Sequence, residues 1–295
     1  MIENKVPGKD ILPSDRESKF PLAARKGNRD SEGFTIAGVP FGADLVPIMA
    51  GPNMVESEDL IHATAHAVKQ AGAHFLRGGA YKPLSFPYRS EKYRETREQG
   101  LKWLREAGDE AGIPIITEIM DQHLVEVIAD STDIIQIGSR NMQNYPLLVE
   151  CARTMKPIML KRHYGASLRD WLGAAEYILN EGNPNLILCE RGMSVPHTHR
   201  ETSRFSLDLQ VIPACKEETH LPVAADPSHA TFWAPWVRPM ALASVSAGAD
   251  AVMIEVHPDP ANAAVDPLQP LSFEQFAELM PLLSLTAQAI GRRVQ

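Results

Sequence analysis

Cysteine is scarce in this 295-residue chain: Cys151, Cys189 and Cys215 are few, odd in number and in no metal-like spacing. That excludes a disulfide framework and a cysteine-based zinc motif, and it fits a protein of the reducing cytoplasm. The plain reading of all three is a buried small hydrophobe. Apolar runs are short, none approaching the roughly 18 residues of a membrane helix, and the polar start MIENKVPGKD lacks the apolar core of a secretory signal. Cations are outnumbered, 29 Lys and Arg against 37 Asp and Glu, for a formal charge of −8. That balance argues against a general binder of nucleic acid or membrane surfaces, so any cationic site must be local and set in an acidic body. A glycine-rich phosphate loop is also missing: AGPNMVES, after the first strand-like run of the repeating pattern, is not one. What remains, 44% apolar and 22% charged residues, is the make-up of an ordinary globular protein.

Residues 1–33 are polar, charged and without period, and read as an N-terminal arm, leaving 34–295 as one catalytic domain. FTIAGVPFGADLVPIMAG contains two strand-like pieces around Gly38, Pro40 and Gly42, a hairpin pattern suited to closing one end of a fold. From there apolar strand patterns recur near 46–50, 73–77, 113–117, 133–137, 157–161, 186–190, 222–226 and 250–255. Between them lie helical patterns such as SEDLIHATAHAVKQAG, EKYRETREQGLKWLREAG, SLRDWLGAAEYILNEG and SFEQFAELMPLLSLTAQAI, with Gly72, Gly108 and Gly182 at expected stops. Strands alternating with helices imply parallel pairing with right-handed crossovers. Eight units in about 260 residues match an α/β fold of the (β/α)8 TIM-barrel type. A doubly wound open sheet is the alternative, but it calls for the glycine-rich loop that is missing.

Cations stand just after the apolar runs in FLRGGAYKP, IIQIGSRNMQN, PIMLKRH and LILCERG: Arg77 and Lys82, Arg140, Lys161 and Arg191. Side chains just past the strand ends of a barrel converge on one mouth. Arginine forks and lysine point charges gathered there suit a small polyanion bearing phosphate and carboxylate. Lys102, Arg105 and Arg169 fall on helical patterns and read as solvated surface charges. A second set, Glu118, His229, Glu255 and Asp266, follows the strand patterns in the same way. His, Glu and Asp together serve as ligands for a divalent metal or as general acid–base groups, and the sequence does not choose. His197 and His199 in VPHTHRE resemble a metal pair by type only and read as part of a loop over the substrate. Phe232, Trp233 and Trp236 after DPSH read as packed, with a lid or subunit contact as the alternative.

AGPNMVES, LRGGAYKP, TEIMD, IIQIGSRNMQN, LILCERG, THLPV, DPSHAT and IEVHPDP together resemble the 3-deoxy-7-phosphoheptulonate (DAHP) synthase family, in its shorter branch related to 3-deoxy-octulosonate 8-phosphate (KDO8P) synthase. The resemblance covers residues 34 to about 285 and implies a TIM barrel that condenses phosphoenolpyruvate with an aldose phosphate and releases inorganic phosphate. It places the phosphoenolpyruvate contacts on Arg77, Lys82, Glu118, Gly138, Ser139, Arg140, Lys161 and Arg191. It places a metal set on His229, Glu255 and Asp266, and two of these, His229 and Asp266, make up the expected catalytic group with Lys82, Glu118 and Asn53. It further implies the shikimate route of aromatic amino acid biosynthesis and a homodimer or homotetramer. The N-terminal arm is too short for the regulatory domain fused to some relatives, so control by aromatic amino acids through such a domain is not expected.

Several positions depart from the family pattern. Metal-requiring members carry a Cys ligand after Ala-Gly-Pro, where this chain has Asn53, as metal-independent KDO8P synthases do. A neutral carboxamide lacks a thiolate's charge and softness, so the expectation is an enzyme that requires no metal; the alternative is a divalent Mn, Fe, Co or Zn ion. DAHP synthases follow the lysine with Pro-Arg-Thr, whereas here Lys82 is followed by Pro83, Leu84 and Ser85, with the next arginine at Arg89. Ser85 and Arg89 are therefore the candidates for the aldose phosphate. Lys161-Arg162-His163, Asp266-Pro267 and Arg204-Phe205-Ser206 replace Lys-Arg-Gly, Asp-Gly and Arg-Asn-Thr. All fall on the acceptor side. They leave open the same chemistry on another aldehyde, such as arabinose 5-phosphate or a specialised-metabolism sugar, and a non-catalytic barrel that only binds phosphoenolpyruvate or sugar phosphate.

Overall fold

The computed structural model describes residues 19–25, 33–82, 95–197, 199–201, 203 and 205–294. It opens on an antiparallel hairpin of β1 (Phe34–Ile36) and β2 (Val39–Phe41). Strands and helices then alternate through β3 (Ile48–Gly51), α1 (Glu58–Ala71), β4 (Phe75–Arg77), α2 (Arg97–Ala111), β5 (Ile115–Ile119), α3 (Val125–Ser131), β6 (Ile134–Ile137), α4 (Tyr145–Arg153), β7 (Ile158–Lys161), α5 (Leu168–Asn180) and β8 (Leu186–Glu190). After β8 the chain makes the short strands β9 (Met193–Ser194) and β10 (Phe205–Ser206), then α6 (Val211–Glu218), β11 (Val223–Ala225), α7 (Pro227–Thr231), α8 (Ala234–Ser246), β12 (Ala251–Glu255) and α9 (Phe273–Ala289). Strands β3 to β8, β11 and β12 pair in parallel and close on themselves, with Glu255 of β12 registered against Gly51 of β3. The expected (β/α)8 barrel is the fold found, and every strand pattern overlaps a barrel strand.

Period-two alternation explains how the barrel makes a site. Met49, Phe75, Ile116, Ile134, Met159, Ile187, Ala224 and Met253 fill one buried cluster with Ile36 and Phe41 of the hairpin. Phe41 lies 5.6 Å from Phe75, so the hairpin closes the amino-terminal end of the barrel. Side chains two residues on point the same way. On six of the eight strands the residue two positions past that layer is polar: Arg77, Glu118, Gln136, Lys161, Asp226 and Glu255. Of the other two, β8 carries Cys189, which belongs to the apolar cluster, and β3 carries Gly51. The inward face is thus hydrocarbon below and ionic above.

The outer faces of the strands pack on the helices, as Ile48, Leu76 and Ile115 do on Ile61, Val68 and Leu104. Serines start several of these helices. Ser57 accepts from Leu60 N–H, and Ser167 and Ser272 form reciprocal caps with Asp170 and Gln275. Gly72 and Gly182 do stand at helix ends in left-handed backbone, φ +98° and +87°. Gly108 does not. Helix α2 runs through it and stops at Gly112, φ +62°. A Cβ on Gly108 would overlap the Ile115 side chain, so that glycine serves close packing of α2 on β5 rather than termination. Arg105 corrects another expectation: it ties α2 to the start of β6 through Asp133 at 2.9 Å and to Asp109 at 2.7 Å, instead of standing free in solvent. Within the N-terminal arm, Ala24 bridges Thr219, and Leu22 and Ala23 donate N–H bonds to Glu176 on α5. No helix among the described residues is long and apolar enough to cross a membrane.

Candidate active site

At the carboxyl-terminal mouth the cations and acids of the strand ends meet in a chain of contacts. Lys161, at the end of β7, donates from Nζ to Asp226 Oδ2 at 2.6 Å. Asp226 also holds His229, whose Nδ1 lies 3.1 Å from Oδ1 and 2.9 Å from Oδ2. The far nitrogen of His229, Nε2, is 3.6 Å from Glu255 Oε2. Glu255 accepts from Gln269 Nε2 at 2.6 Å and faces Arg77 Nη1 at 3.6 Å. Arg77 Nη2 in turn donates to Asn53 Oδ1 at 3.2 Å, and Asn53 Nδ2 donates to Asp266 Oδ2 at 3.3 Å. Beside this chain Lys82 Nζ donates to Glu118 Oε2 at 2.6 Å. All but Lys82 and Asp266 are nine-tenths or more buried, so their charges act with little screening by water.

Local geometry fixes several of these positions. Helix α7 is a single turn whose start is capped by Asp226, which accepts from His229 N–H at 3.1 Å. That turn aims the imidazole back at the carboxylate three residues earlier. Glu118 leans on Gly138, where any Cβ would overlap Glu118 Oε1. Only glycine lets the β6 end approach so closely. Ser139 and Arg140 follow in a short turn, Ser139–Asn141, that carries Arg140 over the same side. Arg191, just past β8, lays its guanidinium 4.3 Å from the centre of the Phe205 ring.

Electrostatics sort the titratable groups. Burial alone would raise Glu118, but Lys82, Lys161 and Arg140 overrule it and hold the carboxyl at about 2. Asp226 is likewise kept well below the usual carboxylate range, with His229 and Lys161 outweighing its burial. Burial drives His229 down to about 3 despite the pull of Asp226, so its imidazole is neutral at physiological pH. Glu255 goes the other way: burial pushes it up to about 7 against Arg77, and Asp266 adds to the rise. Burial also pushes all three cysteine thiols up to about 12, in keeping with inert core residues.

The mouth therefore gathers Arg77, Lys82, Lys161, Glu118, His229, Glu255, Asp266 and Asn53, with Gly138, Ser139, Arg140 and Arg191 on its rim. It does not gather His197 and His199. Those two line a cavity of about 510 Å³ with Val195, Phe205, Trp236 and Met240, and the His199 ring meets Trp236 edge-on at 6.4 Å. Phe232 packs 5.9 Å from Phe205, and Trp233 lies under Arg200 at 3.5 Å. Ser85, Arg89 and Arg204 lie outside the described residues. Sequence reasoning passed over Asp226, although it stands in DPSH just past a strand and obeys the rule that found the others. Gln269 carried no such signal.

The donor set around His229 suits a divalent ion poorly. Asn53 offers a carboxamide oxygen already bonded to Arg77, and the Glu255 oxygen nearest His229 is shared by Gln269 and faced by the same guanidinium. Glu255 thus already faces a guanidinium, and the three cysteines, all buried in the core, offer no thiolate beside His229. Among the described residues no group of three or more His, Cys, Asp or Glu is placed to hold a metal ion.

A closed parallel barrel with cations and acids drawn together at its carboxyl-terminal mouth has the architecture of an enzyme of the (β/α)8 class. The chain belongs to the DAHP synthetase I family, whose model matches residues 23–291. It is 38% identical over 275 residues to a phospho-2-dehydro-3-deoxyheptonate aldolase of Thermotoga maritima, covering 93% of this chain and 80% of that one. The crystal structure of phospho-2-dehydro-3-deoxyheptonate aldolase (DAHP synthase) from Thermotoga maritima superposes with a TM-score of 0.87 at 37% identity, covering 93% of this chain and 78% of that one. A 2-dehydro-3-deoxyphosphooctonate aldolase of Koribacter versatilis is 27% identical over 88% of this chain and 97% of its own.

Proposed function

We propose that this protein condenses phosphoenolpyruvate with an aldose phosphate in an aldol-type reaction that consumes water and releases inorganic phosphate, as a DAHP synthase does. The observation that carries this reading is the unbroken line of contacts from Lys161 through Asp226, His229, Glu255, Arg77 and Asn53 to Asp266, with Lys82 and Glu118 alongside. Arg77, Lys82, Arg140, Lys161 and Arg191, with the Gly138–Ser139 turn, hold the carboxylate and phosphate of the enol ester. C3 of phosphoenolpyruvate bonds to the aldehyde carbon, water adds at C2, and phosphate leaves from the tetrahedral intermediate. Negative charge grows on the former aldehyde oxygen and on the departing phosphate. Fixed cations aimed at such charge supply about 3 kcal/mol each, because they need no reorganisation as the charge appears. Holding both substrates in register adds an entropic gain of similar or larger size.

His229 enters as a neutral imidazole steered by Asp226, and Asn53 as a hydrogen-bonding group for the acceptor or the attacking water. The reaction in this reading needs no metal, because Asn53 puts a neutral carboxamide where metal-requiring members carry a thiolate ligand. The test is phosphate release from phosphoenolpyruvate with erythrose 4-phosphate, arabinose 5-phosphate and unphosphorylated aldoses in turn. Release with one of these, unchanged after exhaustive chelation, is the expected result. Binding of phosphoenolpyruvate with no release for any aldehyde would mean a binding barrel. Loss of turnover on chelation, restored by a divalent ion, would overturn the metal-free reading, and Asn53→Cys is expected to create a metal-stimulated activity.

A further inference from the structure

Glu190, the last residue of β8, is fully buried and touches both ends of the excursion that leaves the barrel between β8 and α6. Its Oε1 accepts from Gly192 N–H at 2.7 Å and from Asp208 N–H at 3.3 Å. One oxygen thus holds the residue where the chain departs and the residue where it returns. Its Oε2 accepts from Arg162 Nη1 at 3.1 Å, and the same Nη1 reaches Asp208 Oδ2 at 2.9 Å. Arg162 is pinned in turn by donating from Nε to Ala166 O at 3.0 Å. Asp208 Oδ1 accepts from Val211 N–H at the first turn of α6.

Within the excursion the β9–β10 pairing sets Phe205 opposite Ser194. Gly192, at φ +100°, has no room for a side chain: a Cβ would come 2.9 Å from Phe205 Cβ and 3.0 Å from Ala230 Cα. Arg191 stands between Glu190 and Gly192, and its guanidinium rests on the Phe205 ring. Its backbone and the ring beneath its side chain therefore depend on the same carboxylate. Burial pushes the Glu190 carboxyl up, while Arg162 and the N–H groups of Gly192 and Asp208 oppose that rise. Arg162 is the only cationic side chain bonded to it among the described residues.

We propose that Glu190, with Arg162 as its counter-ion, is the positioning residue that presets Arg191 for the anionic substrate by clasping both ends of the 193–207 excursion. This rests on the reading of Arg191 as a phosphoenolpyruvate contact. Calorimetric binding of phosphoenolpyruvate, without an aldehyde, tests it in the full chain and in Glu190→Gln, Arg191→Ala and the double variant. Gln keeps the shape but turns an N–H₂ towards Arg162. Glu190→Gln is expected to weaken binding about tenfold or more, as contacting groups in one network do, and to change binding less than about twofold once Arg191 is Ala. Unchanged binding in Glu190→Gln overturns the proposal. So does an equal loss in both backgrounds, which is what a merely structural role produces. If Glu190→Gln fails to fold, Asp208→Asn decides, since Asp208 is a quarter exposed and carries only part of the clasp. A loss of about threefold that disappears with Arg191→Ala supports the clasp, and no loss overturns it. A wild-type chain that binds no phosphoenolpyruvate is a separate outcome, removing the reading of the site and the clasp with it.

Discussion

Replacing Asp226 by Asn isolates the residue on which two members of the site depend. The amide keeps the shape of the carboxylate but removes its charge, and Lys161 is then left in a site where its side chain is 5% exposed and its partner oxygen sat at 2.6 Å. Breaking a buried pair on one side costs about 3–5 kcal/mol, because the remaining charge has neither water nor a counter-ion. For a chain of this size that corresponds to a fall in Tm on the order of 10 °C. Activity suffers separately. His229 exchanges a charged acceptor for at most a neutral amide oxygen, which orients its ring less firmly, and positioned proton-transfer groups contribute roughly two to four orders of magnitude. Thermal denaturation and phosphate release, measured on the same preparation, read the two effects. Adding Lys161→Met to Asp226→Asn is expected to return part of the lost stability, since both halves of the pair are then uncharged, but none of the activity. A single variant with wild-type Tm and turnover within about threefold of wild type would refute the reasoning, because the short contacts to Lys161 and His229 would then carry no energy.

Two further outcomes follow from the same geometry. Gly138→Ala forces Glu118 Oε1 away from the β6 end and with it strains the bond from Lys82; kcat/KM is expected to fall about a hundredfold, the usual consequence of a misplacement near 1 Å, while Tm changes little. Glu118 has a folded value of about 2 against an ordinary 4.5, so the unfolded chain binds its proton first and the carboxylate's stabilisation is complete above about pH 4.5. Urea midpoints of wild type and Glu118→Gln are therefore expected to differ by a constant amount near neutrality and to converge as pH falls from 4.5 towards 2; parallel curves down to pH 3 would contradict the assigned environment.

Much of the barrel was legible before any coordinates. Short continuous apolar runs alternating with helical patterns read as strands covered on both faces, and the serines before helical patterns became caps because their hydroxyls accept the first free N–H groups. Gly108 misled because a glycine in a helical pattern signals either a stop or a close approach, and the sequence around it does not distinguish them. Arg105 misled for a similar reason: its helix position suggested solvent, whereas Asp133 lies 28 residues away in the chain and is brought beside it only by the barrel. Asp226 was visible as a residue past a strand, but His229 beside it drew the functional reading alone.

The sequence by itself determined the alternation of inward and outward side chains, and therefore which residues stand at the carboxyl-terminal mouth. A period of two and the length of each strand suffice for that, since they are local. Which cation meets which acid was decided by the tertiary structure. Asn53 bonds Asp266 across 213 residues and Lys161 bonds Asp226 across 65. Such pairings depend on the stagger of strands around the closed barrel and on the rotamers the packed interior permits, and neither is written in any local stretch of chain.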